Sequence, residues 1–235
     1  EQFLAPPASQ LQYMYDETLR LANGPVYEDA AFEAVWNQWL WGTDQLRARM
    51  SFALSQILVI SNIAPNLDAY GMSYYMDILN RNAFGNFRTL LAEVTLSPAM
   101  GEFLNMRGND KENPATGRMP NENYAREILQ LFSIGLVQLN IDGSVVLGTD
   151  GKPVPSYSED VVKGFSKVFT GWNFSGNDTA LSSTWNNPRR VWTAPMANWP
   201  ARHSTAEKLL LNGVVLPPNQ SAQKDMDDAL DNIFW

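Results

Sequence analysis

From residue 8 to residue 105 apolar side chains recur at helical spacing almost without a break, and Gly and Pro punctuate the series. An amphipathic helix has one apolar stripe and must cover it with a neighbour, so this pattern commits the N-terminal part of the chain to helices packed on helices. The first segment begins after Ser9, an N-cap, and stops at Gly24, with Leu11, Met14, Leu19 and Leu21 as its apolar positions. The second sets Phe32, Val35, Trp36 and Trp39 at the same spacing and stops at Gly42. The third opens at Thr43 and Asp44 and is apolar nearly all round in its second half, which predicts a central, buried helix. Two more end near Gly85 and at Pro98, and "PAMGEFLNM" adds a short turn.

The texture changes at "RGNDKENPATGRMP", residues 107–120, where polar residues, Gly and Pro predict an exposed loop. Helix resumes through "PNENYAREILQLFSIG", with Pro120 near its first turn and Gly135 as its stop. Asp142-Gly143 and Asp150-Gly151 punctuate short β-type segments, so a small β-hairpin insert is expected near 140–156. Ser158 then caps a helix that stops at Gly171, and a long Trp-rich loop follows near 173–200. The expected fold is mostly α: an irregular multi-helix bundle forming a single domain over residues 1–235. Its last stretch, "DALDNIFW", reads as an amphipathic helix without a stop signal, so the domain is expected to be truncated at its C-terminal end.

Charge and residue usage narrow the function classes. A net charge of -8 disfavours nucleic acid and anionic membranes, both of which reward clustered Lys and Arg. The longest apolar run, residues 52–60, contains Ser55 and Gln56 and is far shorter than the roughly 18 residues of a membrane span. No cysteine is present, which excludes disulfides, thiolate nucleophiles and Cys-bound zinc within the chain. His203 is the only histidine, so a metal would need a mixed site with Glu127 or Asp160; neither a metal nor a cofactor is expected. The Asp-Gly pairs lack the ligand spacing of a calcium loop, and no Gly-x-Ser-x-Gly or phosphate-loop motif occurs.

The helix through residues 120–135 carries the candidate chemistry. At about 100° per residue, Tyr124, Ala125, Ile128, Leu129, Leu131 and Phe132 form one apolar arc. Glu122, Arg126, Gln130 and Ser133 lie opposite, where Glu122 and Arg126 can pair at i, i+4. Asn123 and Glu127 form a second i, i+4 pair at the seam between the arcs, where a carboxylate is partly desolvated and its pKa rises unless a cation compensates. A general acid and a structural carboxylate both suit that position. Paired carboxylates are a general route to breaking a glycan, and the catalytic candidates are Glu127 with Asp160 or Glu159, together with His203. The binding candidates are Asn123 and Arg126, whose guanidinium suits a carboxylate or sulfate, and Trp172, Trp185 and Trp192, which with Trp199 offer flat faces to sugars. Trp172, after a helix stop, suits a core anchor better than a sugar platform.

The runs "PNENYARE" and "YSEDVV" and the closing "TGW" resemble a large bacterial family, the domain of unknown function 1800. The family pattern runs Pro-Asn-Glu-Asn-Phe/Tyr-Ala-Arg-Glu, a Leu-rich turn, a Gly stop, Tyr-Thr/Ser-Glu-x-Asp-Val and Thr-Gly-Trp. It matches residues 120–127, 157–161 and 170–172, except that Glu159 and Asp160 stand side by side. "GNFRTLLAEVTLSPAM" and "HSTAEKLLLNG", which places His203 and Lys208, extend the resemblance over about residues 45–235. Many members carry Trp-His-x-His in the helix that reads "RARMSFALSQILVIS" here; with Leu54 and Gln56 in place of those histidines, no role of theirs carries over. The resemblance implies a mostly helical, commonly exported bacterial protein, secreted, periplasmic or at the cell surface, often encoded near a sulfatase-like neighbour. It implies no established reaction. Two functions stay open: a binding or scaffolding module for a polysaccharide or an envelope protein, and a carbohydrate-active hydrolase or lyase using a carboxylate pair. They differ in whether Glu127, Arg126, Asp160 and His203 converge in one cleft.

Overall fold

The computed structural model describes residues 7–22, 24–62 and 67–234. Among them are ten α-helices and only four strands of two residues each, so the chain is mostly α with small β inserts. Backbone contacts gather it into two compact units: residues 1–107, 173–177 and 187–197 form the first, and residues 108–172, 178–186 and 198–235 the second.

The first unit holds α1 (Gln10–Arg20), α2 (Glu28–Trp41), α3 (Gln45–Ile57), α4 (Ala69–Arg81), α5 (Phe87–Thr95) and α6 (Pro98–Phe103). Ser9 caps α1 as expected: its Oγ accepts the Gln12 N–H at 3.0 Å and donates to Asp77 Oδ2 at 2.6 Å. The Asp77 carboxylate, on α4, also accepts the Gln10 and Leu11 N–H groups, so a neighbouring helix satisfies donors that α1 cannot satisfy itself. Burial raises the Asp77 pKa, against the pull of these hydrogen bonds.

Two rotations differ from the sequence reading. α2 turns Ala31, Ala34 and Gln38 inward and leaves Phe32 and Trp36 exposed. The buried Gln38 Oε1 accepts from Asn80 Nδ2 at 3.0 Å and from Gln10, and a buried amide must keep such bonds, so polar pairing sets the inward face. The second half of α3 is not a buried core helix, because Phe52 and Ile57 stand about half exposed. Its buried face is Arg47, Ala48 and Ser51. Arg47 Nη1 donates to the Asn80 carbonyl at 2.9 Å, placing a cation on the C-terminal carbonyls of α4, and its guanidinium lies 5.1 Å from the Phe84 ring centroid. Of the Trp-rich stretch, Trp192 packs edge-on against Phe174 at 4.8 Å and covers Gly71, and Met196 covers Gly101, all in this unit.

The second unit contains α7 (Asn123–Gln130), α8 (Glu159–Val168), α9 (Ser182–Asn186) and α10 (Ala222–Phe234). Strands β1 (Trp172–Asn173) and β2 (Ala197–Asn198) each straddle a chain boundary of the units, and within the second unit β3 (Lys208–Leu209) pairs antiparallel with β4 (Val215–Leu216). α7 buries Tyr124, Ala125, Ile128 and Leu129 of the arc read from the sequence, and Phe132 beyond its end is buried as well, but Leu131 lies past the end of the helix and is 59% exposed; Tyr124 meets Phe169 edge-on at 5.0 Å. The expected β insert is present with an added pairing. Gln138 N bonds Val154 O, Val154 N bonds Val146 O and Val146 N bonds Gln138 O, which ties three short segments into a ring. Its turns are Asx turns, with Asp142 Oδ1 accepting the Ser144 N–H and Asp150 Oδ1 the Lys152 N–H.

α8 follows Ser158, which stands at the N-cap without a side-chain capping bond. It approaches β3 so closely that a Cβ on Gly164 would lie 1.8 Å from the Leu209 carbonyl oxygen, a contact only glycine allows. The loop expected to be exposed at 107–120 is partly drawn in. Asn109 is buried and clamps the chain just after Pro120, accepting the Asn121 N–H at 2.8 Å and donating to Asn121 O at 3.1 Å.

Candidate functional site

Two of the motifs, the Thr-Gly-Trp turn and the segment of His203, meet inside the second unit. Gly171 (φ +82°) lets the chain turn after Thr170, its N–H donates to Asn109 O, and its carbonyl accepts from Trp199 N at 2.7 Å and Asn198 Nδ2 at 3.0 Å. That turn presents Thr170, whose carbonyl oxygen lies 3.0 Å from His203 Nδ1 and whose Oγ1 accepts the Ser204 N–H at 2.8 Å. Thr-Gly-Trp is thus the seat of the "HSTAEK" segment.

Behind it lies a buried ionic cluster. Asp225 of α10 and Lys208 of β3 are fully buried, and His203 is 3% exposed. Asp225 Oδ2 stands 2.8 Å from both Lys208 Nζ and His203 Nε2, and Oδ1 accepts from Gln220 Nε2 at 2.8 Å. Lys208 Nζ also donates to the carbonyls of Ser204 (3.0 Å) and Ala206 (2.8 Å), so its three protons each have an acceptor. Burial works to raise the Asp225 pKa, but the hydrogen bonds from His203, Lys208 and Gln220 outweigh it and hold the carboxyl below its ordinary value. At the edge of the cluster Ser204 Oγ donates to Glu112 Oε1 at 2.9 Å, and Asp110 joins Arg202 (2.9 Å) to Arg118 (3.1 Å).

The helix motif stands apart from this cluster. Arg126 spends its guanidinium on two carboxylates: Glu122 at 2.7 Å, one turn back, and Glu159 in a two-bond fork at 2.6 and 3.0 Å, which joins α7 to α8. These bonds raise the Arg126 pKa and, from the other side, lower that of Glu159. Glu127 is half-buried, and its Oε2 is covered from solvent without a hydrogen-bond partner among the described residues. It lies within electrostatic reach of Tyr157, whose phenol is pushed up first by burial and then by the charges of Glu127 and Glu159, against Arg126. Asn123 opens α7 half-buried, its N–H on Asn121 Oδ1. Asp160 projects to solvent in the first turn of α8 and pairs with Lys163 at 3.1 Å.

The candidates are therefore held in separate arrangements. Asp160 is a solvated surface residue, His203 belongs to the buried cluster, and Arg126 is neutralised by Glu122 and Glu159. The tryptophans are core residues: Trp172, Trp185 and Trp192 are each less than a tenth exposed. Trp185 meets Trp199 edge-on at 5.8 Å and lies under the Arg202 guanidinium, so none of the three presents a free face to a sugar. Among the described residues no group of three or more acidic or histidine side chains is placed to hold a metal ion.

The sequence reading passed over Asp225 although a signal was there. Ala222, Asp225, Met226 and Ala229 share one face of α10, and an acid within an apolar stripe marks a buried ion pair.

No curated protein and no solved structure matches the chain. The family described as "Protein of unknown function (DUF1800)" matches residues 6–235, nearly the whole chain, and the Pro-Asn-Glu-Asn helix, the Thr-Gly-Trp turn and the His203 segment are the blocks that the second unit packs together. The chain belongs to the DUF1800 family.

Proposed function

We propose that the chain is a binding or scaffolding module of the bacterial cell envelope, for a polysaccharide or a protein partner, rather than a hydrolase. The observation that carries this reading is the separation of the polar groups that catalysis would need together. Arg126 is committed to Glu122 and Glu159, Asp160 faces solvent with Lys163, and His203 lies under cover with Asp225 and Lys208. In this reading the polarity of the helix motif braces α7 to α8, and the exported setting is the one that the family resemblance implies.

One observation favours the hydrolase or lyase reading. A carboxylate oxygen of Glu127 is covered and has no hydrogen-bond partner among the described residues, a setting that suits a general acid. Its companion would have to be Glu159, released from Arg126. The two readings separate in one experiment: thermal shift and product analysis with acidic, sulfated and neutral polysaccharides, on wild type and Glu127→Gln. A ligand that binds only the folded chain raises its melting temperature by mass action. The module reading expects stabilisation of both proteins and no cleavage; cleavage by wild type that Glu127→Gln loses would overturn it.

A further inference from the structure

The long stretch after Thr-Gly-Trp buries its tryptophans, and what it shows to solvent instead is a pair of cations. Arg189 and Arg190 are adjacent and exposed, and neither guanidinium has an ion pair or a hydrogen bond among the described residues. Elsewhere the arginines are spent on carboxylates: Arg20, Arg81, Arg107, Arg118, Arg126 and Arg202 each stand within 3.1 Å of one. With 25 acidic side chains in the chain against 17 basic ones, two neighbouring arginines that meet no carboxylate are the exception.

The backbone beneath the pair is fixed, and the contacts that fix it lie within the first unit. Asn177 binds Arg189 as a neighbouring strand would: its Oδ1 accepts the Arg189 N–H at 2.8 Å and its Nδ2 donates to the Arg189 carbonyl at 3.0 Å. The same Nδ2 lies 3.1 Å from the carbonyls of Phe174 and Ser175, which ties this rung to a second turn of chain. Pro188 restricts the backbone ahead of the pair. Behind it Val191 lies over Gly176, and Trp192 packs on Gly71 and Phe174. A segment without helix or strand is thus anchored on both sides of two free cations, which reduces the ordering that a ligand has to impose.

We infer that Arg189 and Arg190 form a docking site for an acidic polysaccharide, each guanidinium forking onto a carboxylate or sulfate group of the polymer. The inference rests on the module reading and narrows its partner. A guanidinium presents parallel N–H donors that fit two oxygens of either group. An exposed ion pair is weak by itself, so one small anion is not held, whereas a polymer that repeats its anions engages both arginines at high effective concentration. A nucleic acid duplex carries a charge about every 1.7 Å and calls for a broad basic surface, which two arginines on an acidic chain do not make. A neutral glycan gains nothing from either charge. At physiological salt, charges are screened beyond about 8 Å, so the local pair acts on the polymer ahead of the net charge of -8.

The experiment uses the 235-residue chain and three fluorescently labelled polymers, dextran sulfate, polygalacturonate and unmodified dextran, with binding read by anisotropy at about 0.15 M salt. The expected result is saturable binding of dextran sulfate, of polygalacturonate or of both, and none of dextran; the tighter of the two names the preferred group. Arg189→Gln with Arg190→Gln should weaken that binding at least about tenfold. Lys163→Gln with Lys224→Gln removes the same charge from exposed sites of the second unit and should leave binding within about twofold. The two arginines meet no partner, so their replacement leaves the fold intact, which an unchanged melting temperature checks. The inference alone is overturned, and the module reading stands, if dextran binds as tightly as the charged polymers, if the arginine variant binds as wild type does, or if the lysine variant is weakened equally. If no polymer binds, the inference falls together with the polysaccharide half of the module reading, which leaves the protein partner.

Discussion

Replacing Asp225 by Asn tests the buried cluster directly. Asp225 is fully buried, and its carboxylate is the only anion within 3 Å of Lys208 Nζ that the structure provides among the described residues. Asparagine keeps an acceptor for Gln220 or His203 but removes the charge, so the ammonium stays buried with only the Ser204 and Ala206 carbonyls. Breaking a buried pair from one side costs about 3–5 kcal/mol. In a protein of this size each kcal/mol moves the melting temperature by roughly 2–4 °C, so Asp225→Asn should melt about 6–20 °C below wild type. Lys208→Met added to it removes the stranded charge and should recover at least half of the loss, which circular dichroism during heating and urea titration would both read. A single variant within about 2 °C of wild type, or a double variant no more stable than the single, would refute this account of the cluster. The pH dependence follows from the same geometry. The folded pKa of Asp225 is depressed, so its stabilisation is fully present above the unfolded value of about 3.9 and is lost as pH falls through the lower folded value. Wild-type stability should therefore fall on acidification below about pH 4, and the Asp225→Asn curve should be flatter there.

Three further outcomes are expected. Gly164→Ala places a Cβ against the Leu209 carbonyl and must displace β3 or α8, at about 1–3 kcal/mol or more by urea titration; a neutral effect would mean that the contact relaxes freely. Arg126→Met breaks ion pairs that are largely solvated and should cost less than about 1 kcal/mol, a loss that shrinks further in 1 M salt, where the screening length is about 3 Å. Asp77→Ala removes the acceptor shared by Ser9, Gln10 and Leu11 and should cost about 1–2 kcal/mol, with faster amide exchange confined to the first turn of α1.

Helix positions, the Ser9 cap, the Asp-Gly turns and the buried arc of α7 could be read from the sequence because each depends on residues three or four apart or fewer, where spacing and local hydrogen bonding suffice. The helix faces of the first unit could not. Hydropathy in α2 and α3 points to Phe32, Trp36, Phe52 and Ile57, yet the inward faces are Ala31, Ala34 and Gln38, and Arg47, Ala48 and Ser51. The contacts that choose them, Gln38 with Asn80 and Arg47 with the Asn80 carbonyl, join residues 42 and 33 positions apart. The candidate site divides in the same way. The motifs name Arg126, Glu127, Asp160 and His203, and composition rules out thiolate and His-rich chemistry. Only the tertiary structure gives His203 to Asp225, 22 residues on, and Arg126 to Glu159, 33 residues on. A buried ion needs its counter-charge wherever the chain can bring it, and local spacing does not specify which distant segment does so.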